Sequence, residues 1–148
     1  MFYAEIPPFS HELRYVNAGH NPPRVFRVLT TGKPGGPSYE CIEQLQAGGT
    51  VVGLFPDVTY DERAIRLCPG DLVFVFTDGV TEALNPGEEE FGEERLEALL
   101  SRVAHLPVPE IVSSVSEELR GWIARAPQHD DLTFVVIKAA CPSGREVD

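Results

Sequence analysis

An aspartate followed by a glycine, at the end of an apolar strand, is the feature of this sequence with the most chemical meaning. A turn at Pro69 and Gly70 leads into the apolar run 71–76, and Asp78 and Gly79 follow it closely. A side chain just past a strand end is held in position and still faces a cleft. Asp78 offers a hard anionic oxygen, the donor type that Mg²⁺ and Ca²⁺ prefer, and Gly79 allows a tight turn and close approach.

A second acidic cluster precedes the last apolar run of the chain. His129, Asp130 and Asp131 come directly before residues 132–138. Two carboxylate clusters at strand ends indicate a divalent-metal site that acts on phosphate. Each cluster alone has a simpler interpretation, because Asp-Gly is an ordinary turn and adjacent aspartates are common in solvated loops. His129 is interpreted as a neighbour of the site, since a hard oxygen site does not need imidazole.

Composition narrows the class of protein. The chain has 148 residues, of which 43% are hydrophobic and 24% charged, and this fits one globular domain with a real core. A net charge of −11 argues against a nucleic-acid partner, which requires clustered Lys and Arg. The three cysteines show no CxxC spacing and are expected to be free thiols in a reducing compartment. No apolar run is long enough for a membrane span and no signal peptide is recognisable, which predicts a cytoplasmic protein without a membrane partner.

The elements that position these residues follow from periodicity. Strand-like patterns predict strands at 2–6, 13–17, 25–29, 39–45, 51–54, 60–67, 71–76 and 132–137. Helical periodicity predicts two helices, at 91–103 and 109–125. Strands, then helices, then a strand is typical of an α+β fold with largely antiparallel pairing. We expect two sheets packed face to face, with both helices side by side on one outer face and a flexible tail at 140–148.

Four segments, taken in order, resemble one enzyme family. They are residues 15–23, 53–57, 70–83 (with Thr77, Asp78 and Gly79) and 128–133 (with Asp130 and Asp131). Together they resemble the bacterial branch of the metal-dependent (type 2C-like) protein serine/threonine phosphatases. That branch includes the sporulation stage II phosphatase and stress-response phosphatases that act on anti-sigma-factor antagonists. The resemblance covers about residues 2–138, and the ordered set is far more specific than any single motif.

The resemblance implies a fold, a cofactor and a reaction. The fold is an antiparallel β-sandwich flanked by helices, in an α-β-β-α arrangement, with a binuclear Mn²⁺ or Mg²⁺ centre at one end. A water activated by the metals attacks the phosphoserine phosphorus directly, so no side chain serves as a nucleophile. The substrate is a phosphoserine-containing regulatory protein.

The matched motifs imply roles for individual residues of this chain. Asp78 and Asp130 match metal ligands, and Asp131 lies beside the second of these. Glu82 matches an acidic position one turn beyond Asp78 that serves a further metal or supports the ligands. His20 falls where related phosphatases often carry an acidic residue near the centre; capping of its own turn is the alternative.

One motif of the family is not found in the chain. In the family, a first acidic motif, Asp followed closely by Gly, supplies the carboxylate that bridges both metals, and no such motif precedes residue 15. We therefore expect residues 1–139 to form the C-terminal portion of a phosphatase domain, incomplete at its N-terminus and inactive alone. The alternative is a non-catalytic phosphatase-like module that binds a partner or self-associates as a homodimer.

Overall fold

The computed structural model describes residues 1–8, 10–29, 38–127 and 130–140. Its elements, in chain order, are β1 Phe2–Glu5, β2 Glu12–Ala18, β3 Arg24–Leu29, β4 Ser38–Gln44, β5 Gly48–Gly49, β6 Arg63–Arg66, β7 Leu72–Phe76, α1 Asp78–Thr81, α2 Glu93–Val103, α3 Val108–Ile123 and β8 Phe134–Lys138. No helix among these is long and apolar enough to cross a membrane. The sequence-predicted tail at 140–148 lies, apart from Ala140, outside the described residues.

The strands form two sheets. The inner sheet has the order β4-β3-β7-β8 and is antiparallel throughout. In the outer sheet, β2 pairs antiparallel with β1 on one side and with β6 on the other. β2 also makes a short parallel pairing with β5, at Asn17 and Ala18. The predicted α+β class and largely antiparallel pairing are confirmed.

Alternation along β7 explains how the inner sheet separates two apolar layers. Val73 packs with Leu13 and Tyr15 of the outer sheet. Leu72 and Phe74, one position before and after it, pack instead against the helices. Side chains with a period of two point to opposite faces of a strand, so a run that is apolar at every position is buried on both faces. The layers are therefore outer sheet, inner sheet and helices.

Both long helices lie on the inner sheet, as predicted. Their buried stripes recur at helical spacing and contain Leu96, Leu99, Leu100, Val103, Ile111, Val115 and Leu119. The ammonium of Lys138 at the end of β8 donates to the carbonyls of Ala104 and Leu106, at 2.9 and 2.7 Å. These carbonyls follow α2, where a cation is favourable because helix C-termini carry partial negative charge. Burial lowers the pKa of Lys138 below its usual value.

The strand predicted at 51–54 is wrong. These residues form an exposed loop of turns, in which Leu54 is 61% exposed and Gly53 has φ 84°. An apolar run favours a strand only when a neighbouring strand is available to pair with it, and this segment has no ladder partner in the described sheets. The strand predicted at 60–67 is shorter than expected, at Arg63–Arg66.

A buried ion pair fixes the turn that leads into β7. The carboxylate of Asp71 is 1% exposed and accepts three hydrogen bonds from the Arg27 guanidinium, at 2.6 to 3.1 Å. It also accepts the backbone N–H of Cys68, at 2.7 Å. Arg27 in turn donates to the carbonyl of Arg66 at 3.0 Å. The carboxylate therefore joins β3, β6 and the turn before β7.

Replacing this carboxylate should destabilise the fold. Asp71→Asn removes the charge that faces Arg27 and one of the acceptor oxygens, so we expect the free energy of unfolding to fall by about 2 kcal/mol. Urea denaturation measures the change. Asp61→Asn is the matched control, because Asp61 is exposed and only its backbone N–H is bonded, to Gly48; it should change stability by less than about 0.5 kcal/mol. Equal effects of the two substitutions would contradict the assigned role of Asp71.

The described sheets also predict self-association. β8 is an edge strand that pairs with β7 alone in the described sheets, and its Val135 is 51% exposed. Open edges with apolar side chains are templates for further strand pairing. Light scattering of the 148-residue chain should show dimers or larger species at micromolar concentration, and Val135→Lys should shift them towards monomer. A monomer across that range would contradict the expectation.

Candidate metal centre

Asp78 lies where the sequence places it, just past the end of β7. Thr77 is extended, and Asp78 begins the single-turn helix α1. One carboxylate oxygen of Asp78 accepts the backbone N–H of Gly79, at 3.0 Å. The N–H of Glu82 donates to the Asp78 carbonyl, at 2.8 Å, and closes the turn. The carboxylate is thus carried on a short, hydrogen-bonded turn at the end of a central strand.

The second acidic segment lies against this turn. Thr77 bonds across the gap in both directions. Its N–H donates to the carbonyl of Thr133 at 3.0 Å and its hydroxyl donates to the carbonyl of Asp131 at 3.1 Å, while the hydroxyl oxygen accepts the Thr133 N–H at 3.3 Å. A Cβ placed on Gly79 would lie 2.6 Å from the Asp131 carbonyl oxygen and 3.5 Å from the Asp130 Cβ. The backbones at 78–79 and 130–131 are therefore in direct contact, which only a residue without a Cβ permits.

Two cavities are lined in part by these segments. One has a volume of about 230 Å³, and its lining includes Gly79, Glu82 and Asp130. The other has a volume of about 130 Å³, and its lining includes His20, Thr77 and Asp78. Asp131 is exposed beside them, and its N–H donates to a carboxylate oxygen of Asp130 at 2.7 Å. Of the residues that the sequence singled out, only His129 lies outside the described part of the chain.

Asn17, which the sequence interpretation did not single out, holds the loop that carries His20. Its side chain is buried and accepts the His20 N–H at 2.8 Å, while its amide donates to the carbonyls of His20 and Leu45 at 2.9 and 3.0 Å. The position of Asn17 in the strand pattern could have identified it. Asn17 continues the alternation of Leu13 and Tyr15 on the buried face of β2, where a polar side chain requires hydrogen-bond partners.

The sequence interpretation did not single out Arg24 either. Arg24 connects the loop that carries His20 to α2. Its side chain is 1% exposed and forms ion pairs with Glu93 and Glu97 at 2.8 and 3.0 Å. It donates to the Pro22 carbonyl at 2.6 Å, and its guanidinium lies 5.6 Å from the centre of the Phe76 ring. A buried cation must be paired, and here the pairing fixes the strand end before Asp78 relative to a helix.

The donors at this site fit a hard divalent cation in type. Asp78, Asp130 and Asp131 supply carboxylate oxygens, which Mg²⁺ and Mn²⁺ prefer over softer ligands. Within the described ranges, no group of three or more His, Cys, Asp or Glu side chains is close enough to hold an ion. A complete coordination sphere therefore needs oxygen atoms beyond the side chains that the described residues place together.

Comparison with known proteins shows the family to which the chain belongs. The family model for stage II sporulation protein E (SpoIIE) matches residues 1–140. The chain is 31% identical over 137 residues to protein IcfG of Synechocystis sp. (strain ATCC 27184 / PCC 6803 / Kazusa), covering 93% of this chain and 20% of IcfG. It is 29% identical over 139 residues to the phosphoserine phosphatase RsbU of Bacillus subtilis (strain 168), covering 93% of this chain and 38% of RsbU. The chain thus spans well under half the length of either relative.

The fold also agrees with that of a solved phosphatase domain. The phosphatase domain of the cell fate determinant SpoIIE from Bacillus subtilis, in a manganese-presoaked crystal, superimposes with a TM-score of 0.58 at 16% identity. The match covers 95% of this chain and 56% of that one. With the family match over almost its whole length, and with two sheets and two long helices arranged as in that phosphatase domain, this chain belongs to the SpoIIE family of type 2C-like phosphatase domains.

Proposed function

We propose that this chain is the C-terminal portion of a metal-dependent phosphoserine phosphatase domain. The observation that carries the proposal is the contact at Gly79, where two acidic strand-end segments meet in a chain of the SpoIIE family. Two such segments at one end of a sandwich are suited to binding hard cations against a phosphate. The relative RsbU is, by its name, a phosphoserine phosphatase.

The residues have distinct roles in this proposal. Asp78, Asp130 and Asp131 would each offer a carboxylate oxygen to Mn²⁺ or Mg²⁺, and further oxygen atoms would complete the coordination sphere. When bound, such a metal pair lowers the pKa of a water and neutralises charge on the phosphoryl group. Thr77 fixes the distance between the two acidic segments through its bond to the Asp131 carbonyl, at 3.1 Å. Glu82, at the wall of the larger cavity, supports the ligands or a further ion.

The proposed substrate is a phosphoserine on a cytoplasmic regulatory protein, such as an anti-sigma-factor antagonist. The support is family membership and the names of the relatives, since SpoIIE is a stage II sporulation protein. The net charge of −11 also makes a nucleic-acid substrate unfavourable.

A second candidate is a non-catalytic module that binds a partner or self-associates. It is favoured by one observation: the described residues place no three metal-ligating side chains together. The two candidates differ in an assay of Mn²⁺-dependent phosphoserine hydrolysis by the protein that contains the complete domain. Hydrolysis that requires Mn²⁺ supports the first candidate. Absence of hydrolysis at every Mn²⁺ concentration supports the second.

Removing a ligand should abolish the reaction and leave the fold intact. Asp78→Asn and Asp130→Asn each remove a negative oxygen, so we expect Mn²⁺ affinity, measured by calorimetry, and hydrolysis of a phosphoserine peptide to be lost. Glu82→Gln should act more mildly, by about tenfold. Asp61→Asn is the control, because Asp61 is exposed and lines neither cavity, and it should retain full activity. Retained turnover in either ligand variant would show that other residues build the site.

The contact at Gly79 gives a separate prediction. Gly79→Ala forces the Asp131 carbonyl away, since the added Cβ would lie 2.6 Å from it, and a displacement of this kind can lower turnover about 100-fold. Gly121→Ala is the matched control, because a Cβ there meets nothing within 4 Å. That change lies within α3 and should raise stability by up to about 1 kcal/mol without affecting turnover. Similar activities in the two variants would refute the importance of this contact.

A further inference from the structure

We propose that Trp122 is a positioning residue for the metal centre, because its indole N–H holds the segment that carries Asp78 against the helix that leads to Asp130. The inference rests on the proposed function and adds a residue that lies outside the sequence motifs. Trp122 is the only tryptophan of the chain, and it is half-buried in the last turn of α3.

The indole of Trp122 bonds directly to the end of the segment that begins at Asp78. Its Nε1–H donates to the carbonyl oxygen of Ala83, at 3.0 Å. The residue before Ala83 closes the first turn of that segment, since the Glu82 N–H donates to the Asp78 carbonyl at 2.8 Å. A shift of the Ala83 carbonyl therefore moves the turn on which the Asp78 carboxylate is carried.

The Ala83 carbonyl is held from two helices at once. It also accepts the backbone N–H of Phe91, just before α2, at 2.9 Å. Because a carbonyl oxygen has two lone pairs, the donors from Trp122 and Phe91 complete its bonding. Thr77 holds the other end of the segment through its bond to the Asp131 carbonyl. The two anchors act at different ends, so neither replaces the other.

The indole ring is fixed in orientation by its neighbours. The guanidinium of Arg95 lies 4.3 Å from the ring centre, within the range of a cation–π interaction. Arg95 is itself anchored, because it donates to the carbonyls of Glu90 and Phe91, each at 3.2 Å. The ring of Phe91 meets the indole edge-on, with 5.8 Å between the ring centres. The N–H of Trp122 is therefore aimed at one acceptor.

The 230 Å³ cavity is lined by both of the segments that this bond joins. Glu82 and Ala83 come from one segment, and Ile123 and Asp130 come from the other. Groups that orient metal ligands matter to the metal itself, since loss of such a partner typically lowers affinity or activity by about 10–100-fold. The bond from Trp122 therefore sets how the acidic side chains around this cavity face a bound cation.

Two replacements at position 122 remove the N–H and differ in shape. β-(3-Benzothienyl)alanine keeps a fused bicyclic ring with sulfur in place of the N–H, and Trp122→Phe is the smaller genetic variant. In the protein that contains the complete domain, both should weaken Mn²⁺ binding, measured by calorimetry, by about tenfold. At saturating Mn²⁺ the KM for a phosphoserine peptide should change little, because the loss is confined to the metal.

Val103→Ala is the matched control for general destabilisation. Val103 is buried in the helical core on which Trp122 packs, and a smaller side chain there costs stability without removing a bond to Ala83. Mn²⁺ affinity should be unchanged in this variant. An equal loss of affinity in Val103→Ala would attribute the effect to stability, and native affinity in the benzothienyl protein would attribute it to packing. Either result would overturn the inference.

Amide hydrogen exchange of the 148-residue chain tests the bond without metal or turnover. With the indole N–H removed, the segment after Asp78 should open more often, so the amide hydrogens of Glu82 and Phe91 should exchange about tenfold faster. Phe74, in the middle of the inner sheet, should keep its native rate. Native exchange rates at Glu82 and Phe91 would show that Trp122 does not hold this segment.

These measurements separate the inference from the proposed function. Mn²⁺ binding without any hydrolysis in the unsubstituted protein would refute the phosphatase activity and leave the role of Trp122 standing. Hydrolysis in the unsubstituted protein, with native Mn²⁺ affinity in both variants at position 122, would overturn the inference alone. Failure of the unsubstituted protein to bind Mn²⁺ would overturn both.

Discussion

The candidate site depends on one close approach between two backbones. The turn after β7 and the segment that enters β8 meet at Gly79, where an added Cβ would lie 2.6 Å from the Asp131 carbonyl oxygen. Thr77 bridges the same gap with bonds to the carbonyls of Asp131 and Thr133. Because β7 and β8 are antiparallel neighbours, the end of one strand and the start of the other lie at the same edge of the sheet. This arrangement brings the backbones that carry Asp78 and Asp130 next to each other.

The rest of the fold supports that edge through a few buried polar groups. Arg24 ties the His20 loop and the ring of Phe76 to α2, and Asn17 fixes the backbone of the same loop. Asp71 joins three segments at the opposite end of β7. Each of these side chains is at most 3% exposed, where an unpaired polar group is costly, and each makes several bonds. Such networks allow few alternative arrangements and so specify the geometry of the edge as well as stabilising it.

Much of this architecture could be predicted from local pattern. Strand-like patterns located β2, β3 and β4, and a continuous apolar run located β7. Helical spacing located α2 and α3, because each of these helices buries a regular stripe. The strand predictions were wrong where pairing between strands, and not the local residue pattern, decides the structure. Residues 51–54 are apolar but form an exposed loop, whereas Gly48 and Gly49 have no strand propensity and nevertheless pair with β2. Local sequence cannot specify such cases, since a β-strand is stabilised by its neighbour.

The sequence by itself determined the residue types at the site and the family to which they belong. Asp78, Gly79, Asp130 and Asp131 stand in ordered motifs, and residue type fixes which donor atoms each side chain can offer. Only the tertiary structure decided that Gly79 and Asp131, 52 positions apart, touch. It also decided that two side chains hold the His20 loop: Asn17 accepts the His20 N–H, and Nδ1 of His20 bonds the Asn21 carbonyl. The physical reason is that contacts and hydrogen-bond partners depend on distances between distant segments, which are set by packing of the whole core and not by local propensity.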